Sequence, residues 1–430
     1  VGSLKLIFLE PLTAIIVSFC FLGFLLYKRV NLGITLTATA LLLAILALDW
    51  RKIPAVLYTT TDYQTLDGRL VISVVLATFG IMFLSQLYKE TGLINQLSIS
   101  LANIVKNPKT ILSALPAVIG FLPVSGGALM SAPLVDSEAE KLKLTPEKKA
   151  YINLWFRHTI FPVYPVSQVL IITAALTETT IPSIIVRQIP VVIVMIIFGF
   201  LVGFWGTPNQ KIRGKSEEEN KPNSNLKTFL VAFTPILSTI VVTVGLDMTS
   251  FELSKQGFDV LIATIIGIIF FVAISKPSLK VFTKPLNGLG IYGVTLAAYG
   301  AFLLRNVLKA VGISNIFKAF VSNGSMDVLL LLIVLPGILG FLTGSPQGGI
   351  AIGASIVAGI LPSSNGKPFS PSTAALLYMS AYMGYVIAPT HLCFTFTADY
   401  FKCSLSKIYK YLIPSFVITM AATLLVYFLV

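Results

Sequence analysis

Apolar residues fill most of this chain in long blocks, separated by short polar stretches rich in lysine. Ten blocks are near the length that spans a hydrocarbon core as a helix: Leu6–Tyr27, Leu32–Leu48, Leu70–Leu87, Ile152–Leu176, Ile184–Trp205, Phe229–Leu246, Val260–Ile274, Gly290–Leu308, Thr373–Thr397 and Leu412–Val430, although Val260–Ile274 is short. Two further apolar stretches, Ile111–Val135 and Val328–Ile360, break the pattern. They carry GFLPVSGG from Gly120 and GFLTGSPQGG from Gly340, with Pro, Ser and paired Gly where a membrane helix would carry Leu. The pattern predicts an all-α polytopic membrane protein. Composition agrees: 430 residues that are 55% hydrophobic and 11% charged leave too little polar surface for a soluble protein. The first block is too long for a cleaved signal peptide, and lacks its basic leader and small-residue cleavage site.

The net charge of +13 reads as topology. With the N-terminus outside and the two odd stretches returning to the side they left, 20 Lys and Arg fall in cytoplasmic loops and 7 in outer loops. Short loops rich in Lys and Arg face the cytoplasm, so this orientation is expected, with both termini extracellular. The polar run from Gly206 to Lys227 is the expected cytoplasmic linker.

The chain repeats itself. At an offset of 220, Phe79–Leu97 lies over Tyr299–Phe317, matching Gly80, Leu84, Lys89, Gly92 and Asn95 to Gly300, Leu304, Lys309, Gly312 and Asn315. The register continues through LPAVIGFL (Leu115–Leu122) and LPGILGFL (Leu335–Leu342), and a two-residue insertion then matches Gly126 and Gly127 to Gly348 and Gly349. Further on, Phe161-Pro162 aligns with Ala388-Pro389. Each half, 1–205 and 228–430, therefore holds five crossings and one odd stretch. Five is odd, so the second half is expected upside down relative to the first, as an inverted repeat.

Hydrocarbon penalises unpaired backbone groups, so irregular backbone survives at depth only where it packs in protein or lines a cavity. Each odd stretch is accordingly expected to be a re-entrant hairpin (about 111–135 and 328–360), turning at Val124–Gly127 and Ser345–Gly349 near mid-membrane. Free N–H groups at such tips suit an anion, and free carbonyls suit Na⁺. After each hairpin comes a span broken by proline: WFRHTIFPVYP (Trp155–Pro165), within a broken helix of about 152–176, and MGYVIAPTH (Met383–His391), within one of about 373–397. The substrate-binding candidates are Ser125, Gly126, Gly127, Arg157, Ser345, Gln347, Gly348, Gly349, Thr390 and His391. Val124, His158, Pro162, Gly344 and Pro389 are the ion-coupling candidates, and Na⁺ at the tips is the candidate metal. Among the few deep charges, Arg157 has two readings: it pairs with an anionic substrate, or it snorkels to the headgroups. His158 and His391 are the only histidines, and imidazole can carry a proton near neutral pH. Cys20, Cys393 and Cys403 show no metal-ligand spacing and read as small core residues.

GFLPVSGGALMSAPLVD (Gly120–Asp136) and GSPQGGIAIGASI (Gly344–Ile356) are similar to the two hairpins of gluconate-type permeases. On these motifs the chain resembles the ion transporter superfamily, which includes gluconate permeases and dicarboxylate and citrate carriers. Within that group it most resembles an uncharacterised prokaryotic membrane family of unknown function. It lacks the paired Ser-Asn-Thr hairpin signature of the sodium-coupled dicarboxylate branch. The resemblance implies a scaffold from the first spans of each half, a moving domain of hairpins and broken helices, a homodimer and an elevator-like movement.

The expected function is secondary transport of a small organic anion, a carboxylate or sugar acid, coupled to Na⁺ or H⁺ in the cell membrane of a prokaryote. A lipid-carrier flippase and an ion channel are the alternatives. An enzyme is not expected: there is no HExxH, no embedded Asp pair, and no third group to orient a Ser–His pair. No cofactor other than Na⁺ and no nucleic-acid partner is expected.

The orientation can be tested directly. Cysteines introduced at Ser216 and Ser254 should react with impermeant thiol reagents from opposite sides of the membrane. Labelling of both from the same side would overturn the inverted arrangement.

Overall fold

The computed structural model describes residues 9–105, 107–122, 127–207, 226–249, 257–313, 315, 318, 327–358, 360–361 and 369–429. The described residues form helices joined by short turns, with no strand among them. The first half runs α1 (Pro11–Tyr27), α2 (Leu32–Ala47), a short α3 (Ile53–Thr60), α4 (Leu66–Glu90) and α5 (Leu93–Ile104). It continues with a helical hairpin, α6 (Pro108–Gly120) and α7 (Ala128–Glu140), then α8 (Pro146–His158), a 3₁₀ turn at Phe161–Val163, α9 (Gln168–Thr177) and α10 (Ile181–Phe204). The second half runs α11 (Leu226–Met248), α12 (Phe258–Ser275), a short α13 (Leu279–Thr283) and α14 (Leu289–Val311). A second hairpin, α15 (Val328–Thr343) and α16 (Pro346–Val357), is followed by α17 (Pro371–Ile387), α18 (Leu392–Tyr400) and α19 (Leu405–Leu429).

All ten predicted spans fall on helices, and both predicted breaks are present, between α8 and α9 and between α17 and α18. The hydrophobic pattern does not predict the short helices α3 and α5; each has too few apolar residues to register as a span. The linker around 208–225 and the first hairpin's turn at 123–126 lie outside the described residues. The second hairpin turns at Gly344 and Ser345, not across Ser345–Gly349. Gly344 adopts φ +59°, a left-handed conformation that ends α15. Pro346 then starts α16, where its missing N–H is no loss, so Gln347, Gly348 and Gly349 are already helical.

The two hairpins begin alike. Asn107 caps α6 by accepting from the N–H groups of Lys109 and Thr110, and Asp327 caps α15 by accepting from Leu329 and Leu330. Pro116 and Pro336 lie inside the first arms, and Pro190 and Pro414 inside α10 and α19.

Among the described residues, seven helical segments are long and apolar enough to cross a membrane. They differ in depth within the bundle. In the most apolar stretch of Pro146–Thr177, 83% of residues are buried, against 22% in Leu405–Leu429, so the broken helix α8–α9 is central and α19 is peripheral. The outward faces of α10, α11, α12 and α19 are apolar, with Ile193, Val241, Ile269 and Val417 exposed. Such a surface is compatible with a membrane protein, whose outer face meets lipid.

Packing pairs the halves. α2 lies against α14 and α4 against α12; α7 lies against α18 and α16 against α9; α10 lies against α19. Glycine permits the tightest of the helix crossings. A Cβ at Gly120 would stand 2.6 Å from the Arg157 carbonyl oxygen of α8, and one at Gly340 would overlap the Ala381 carbonyl oxygen of α17. Small residues let helix backbones approach in just this way where helices pack without a hydrophobic drive between them.

Gly384 of α17 makes the same close approach to the Gly337 carbonyl of α15. Gly384→Val should therefore lower the melting temperature of the purified protein, at an overpacking cost of about 1–3 kcal/mol. Gly23→Ala, which meets nothing within 4 Å, should leave it unchanged. Thermal unfolding in detergent compares the two.

Candidate functional site

The two helix breaks and the tip of the second hairpin converge on one cavity of about 210 Å³. Its wall is built from Arg157 and His158 at the end of α8, Ser167 and Gln168 at the start of α9, and Tyr382 and Tyr385 of α17. His391, Leu392 and Cys393 contribute from the second break, and Gly344, Ser345, Pro346 and Gln347 from the hairpin tip. Phe161, Val169 and Val294 add apolar surface. Exposed Leu392 and half-buried Ser345 and Val294 bring the cavity to the surface.

The first break follows from local chemistry. Pro162 has no N–H, so the carbonyl four residues earlier, that of His158, loses its helical donor. The Tyr382 hydroxyl, from the other half of the chain, donates to that carbonyl at 2.7 Å. The His158 ring is held in turn: Nδ1 lies 2.7 Å from the Leu154 carbonyl and therefore carries the proton, leaving Nε2 as the acceptor. Nε2 faces the Tyr385 hydroxyl at 3.3 Å. At the second break, His391 stands edge-on to His158 with ring centroids 4.8 Å apart, and lies against the Tyr385 ring at 3.9 Å. Neither ring nitrogen of His391 has a hydrogen-bond partner among the described residues.

Arg157 is 1% exposed, which excludes the reading in which its head snorkels to a surface. One terminal nitrogen, Nη2, donates to the Leu122 carbonyl at 3.1 Å, tying the guanidinium to the end of α6. Nε and Nη1 have no partner among the described residues, and no acidic group pairs with it there. Three other basic residues are matched. Lys149 of α8 meets Asp136 at 2.8 Å and also Glu140; Arg305 meets Glu178 at 3.2 Å; Arg187 donates to Ser372 at 2.9 Å.

Of the residues singled out from the sequence, Arg157, His158, Gly344, Ser345, Gln347 and His391 line the cavity. At the tip the Ser345 hydroxyl donates to the Gln347 side chain. Val124, Ser125 and Gly126 lie outside the described residues. Gly127 sits at the start of α7 and does not reach the cavity wall. Gly348 and Gly349 also lie off it: a Cβ at Gly349 would stand 2.6 Å from the Pro336 carbonyl oxygen, so this glycine packs α16 on α15. Thr390 donates to the Phe341 carbonyl at 3.2 Å and buttresses the tip from outside. Pro162 and Pro389 shape the breaks without lining the cavity.

Sequence pattern alone does not mark Ser167, Gln168, Tyr382, Tyr385 or Cys393 as cavity residues. Gln168 is the detectable one, an amide just after Pro165 in an otherwise apolar span. Cys393 is a buried core residue, as expected, and it also joins His158 and His391 in a buried group whose ligand atoms all lie within 4.8 Å of one another.

Residues 9–430 match the family model described as protein of unknown function (DUF401). The chain belongs to this family. No curated protein matches it. The DUF401 match covers nearly the whole chain, so both hairpins and both breaks belong to what the family model spans.

A buried guanidinium with two unpaired nitrogens and no counter-charge is a liability for the empty protein. Arg157→Met should therefore change the ligand-free melting temperature little, since losing the buried charge offsets stranding the Leu122 carbonyl. A drop of several degrees would assign Arg157 a structural role.

Proposed function

We propose that this DUF401 chain is a secondary transporter of a small organic anion, a carboxylate or sugar acid, coupled to Na⁺ or H⁺. The observation that carries the proposal is Arg157: a cation with free donors, facing a cavity built where two broken helices meet a hairpin tip. An anion entering that cavity would gain a charge-assisted contact, with a planar fork available for a carboxylate, in surroundings of low dielectric. Ser167, Gln168 and the tip residues Ser345 and Gln347 supply the polar contacts that orient a hydroxylated acid, and Phe161 and Tyr382 its apolar walls.

The architecture we propose is an inverted repeat of two five-crossing halves, related to the ion transporter superfamily. Three findings support it: the reciprocal packing of α2 on α14 and α4 on α12, the equivalent caps Asn107 and Asp327, and the equivalent close approaches of Gly120 and Gly340. The proposed orientation, with both termini outside a prokaryotic cell membrane, rests on the Lys and Arg count, and the polar pairs support the grouping of loops onto two common sides. Lys284–Glu90, Lys148–Trp205 and Lys109–Thr207 each join two positions on the cytoplasmic side of that topology. Arg305–Glu178, Arg187–Ser372 and Asn306–Thr60 each join two on the outer side. An elevator-like movement within a homodimer would expose the cavity to each side in turn. Hairpins and breaks that share a pocket suit such a movement, since they can travel as one body while α2, α4, α12 and α14 stay in place.

Flux of radiolabelled gluconate and short carboxylates into proteoliposomes tests the class. A carrier gives saturable uptake driven by a Na⁺ or H⁺ gradient, whereas a channel gives ohmic current. For the substrate taken up, Arg157→Lys should weaken affinity about tenfold or more, because lysine keeps the charge but loses the planar fork. Unchanged affinity in the lysine variant would remove Arg157 from the binding site.

A further inference from the structure

His158, His391 and Cys393 come from both halves of the chain and share one buried wall of the cavity. Each offers one ligand atom, and the three atoms lie within 4.8 Å of one another. Tetrahedral zinc, with metal–ligand lengths of about 2.0–2.3 Å, sets neighbouring ligand atoms roughly 3.3–3.7 Å apart. Small side-chain rotations would close the group to that spacing. The His158 Nδ1–H is held by the Leu154 carbonyl, which leaves Nε2 with the free lone pair; coordination there would displace its 3.3 Å contact with the Tyr385 hydroxyl. The Nδ1–H bond is the outer-shell arrangement that fixes the tautomer of metal-bound histidine. His391 is 2% exposed, and both its ring nitrogens lack a hydrogen-bond partner among the described residues. A buried imidazole with nothing to bond to is costly, and a metal ion would supply the missing partner.

We propose that His158, His391 and Cys393 form a three-ligand site for a Zn²⁺-class transition-metal ion, with its fourth position open to the cavity. Two imidazoles and a thiolate favour such an ion over Na⁺, Mg²⁺ or Ca²⁺, which take oxygen. Binding releases the Cys393 thiol proton to solvent, leaving a net charge of +1 on the metal–thiolate group. Arg157 adds a second positive charge in the same cavity. The open position therefore favours an anionic fourth ligand, carboxylate or hydroxide, over a neutral one. The site does not depend on transport being the function, because metal binding and anion flux are read by separate measurements.

The test is a Co²⁺ titration of the full chain in detergent, with Cys20 and Cys403 replaced by serine so that Cys393 is the single thiol. We expect saturable binding of one Co²⁺ per chain, a thiolate-to-cobalt absorption band in the near ultraviolet, and displacement by one equivalent of Zn²⁺. His391→Ala in the same background should weaken Co²⁺ binding at least roughly tenfold. Cys393→Ser should abolish the band while the protein stays monodisperse on size exclusion. Absence of saturable binding in the single-thiol chain, or saturable binding without the thiolate band, overturns the proposal whether or not the variants at His391 and Cys393 fold.

Discussion

A backbone carbonyl freed inside an apolar bundle has no water to turn to, and the helix ends around the cavity answer to that constraint. Pro162 frees the His158 carbonyl and the Tyr382 hydroxyl takes it. The Leu122 carbonyl, at the end of the first hairpin arm, is taken by Arg157. Thr390 donates to Phe341 at the end of the second hairpin's first arm, and Tyr409 donates at 2.7 Å to Ile387 at the end of α17. Each broken end is thus stoppered by a side chain from a different element. The breaks are fixed in place by polar contacts that apolar packing alone would not specify.

These contacts also join the two halves. Tyr382 reaches from α17 to the end of α8, the Tyr151 hydroxyl lies 2.6 Å from Ser415, and the Tyr88 hydroxyl donates to the Ala232 carbonyl at 2.8 Å. Because the first break is capped from the second half, a shift of α17 must carry the end of α8 with it or strand a carbonyl. The first break is thereby tied to α17, and Thr390 of the second break to the second hairpin's first arm.

Much of the fold is legible in the sequence because a hydrophobic block of membrane length has few other destinations. Proline and glycine at positions such as Pro162, Pro389 and Gly344 announce where helices must stop. The site is legible only in part. Arg157, His158 and His391 stand out as rare polar residues in apolar spans, and all three line the cavity. Tyr382, Tyr385 and Cys393 do not, since at helical spacing within a buried span they read as packing. Their meeting with residues more than 200 positions earlier is a tertiary event that one sequence does not encode locally. The glycine pair Gly348-Gly349 misleads for a related reason. A turn and a close helix crossing both demand the absence of a side chain, and only the neighbouring Pro346, a helix starter, separates the two.

Several caps and charges away from the cavity are partnered: Lys149 with two carboxylates, Arg305 with Glu178, the hairpin starts with Asn107 and Asp327. Buried polar atoms without partners among the described residues also occur away from the cavity, at Arg69 and Gln188 among others, but the cavity wall brings those of Arg157, Gln168 and His391 together. Two nitrogens of Arg157, both ring nitrogens of His391 and the amide nitrogen of Gln168 are buried without partners among the described residues. In a bundle that takes such trouble to satisfy its carbonyls, donors left open on one wall mark where a ligand's acceptors belong. Under the two proposals above, an anion would meet the Arg157 and Gln168 donors and a metal ion the His391 ring.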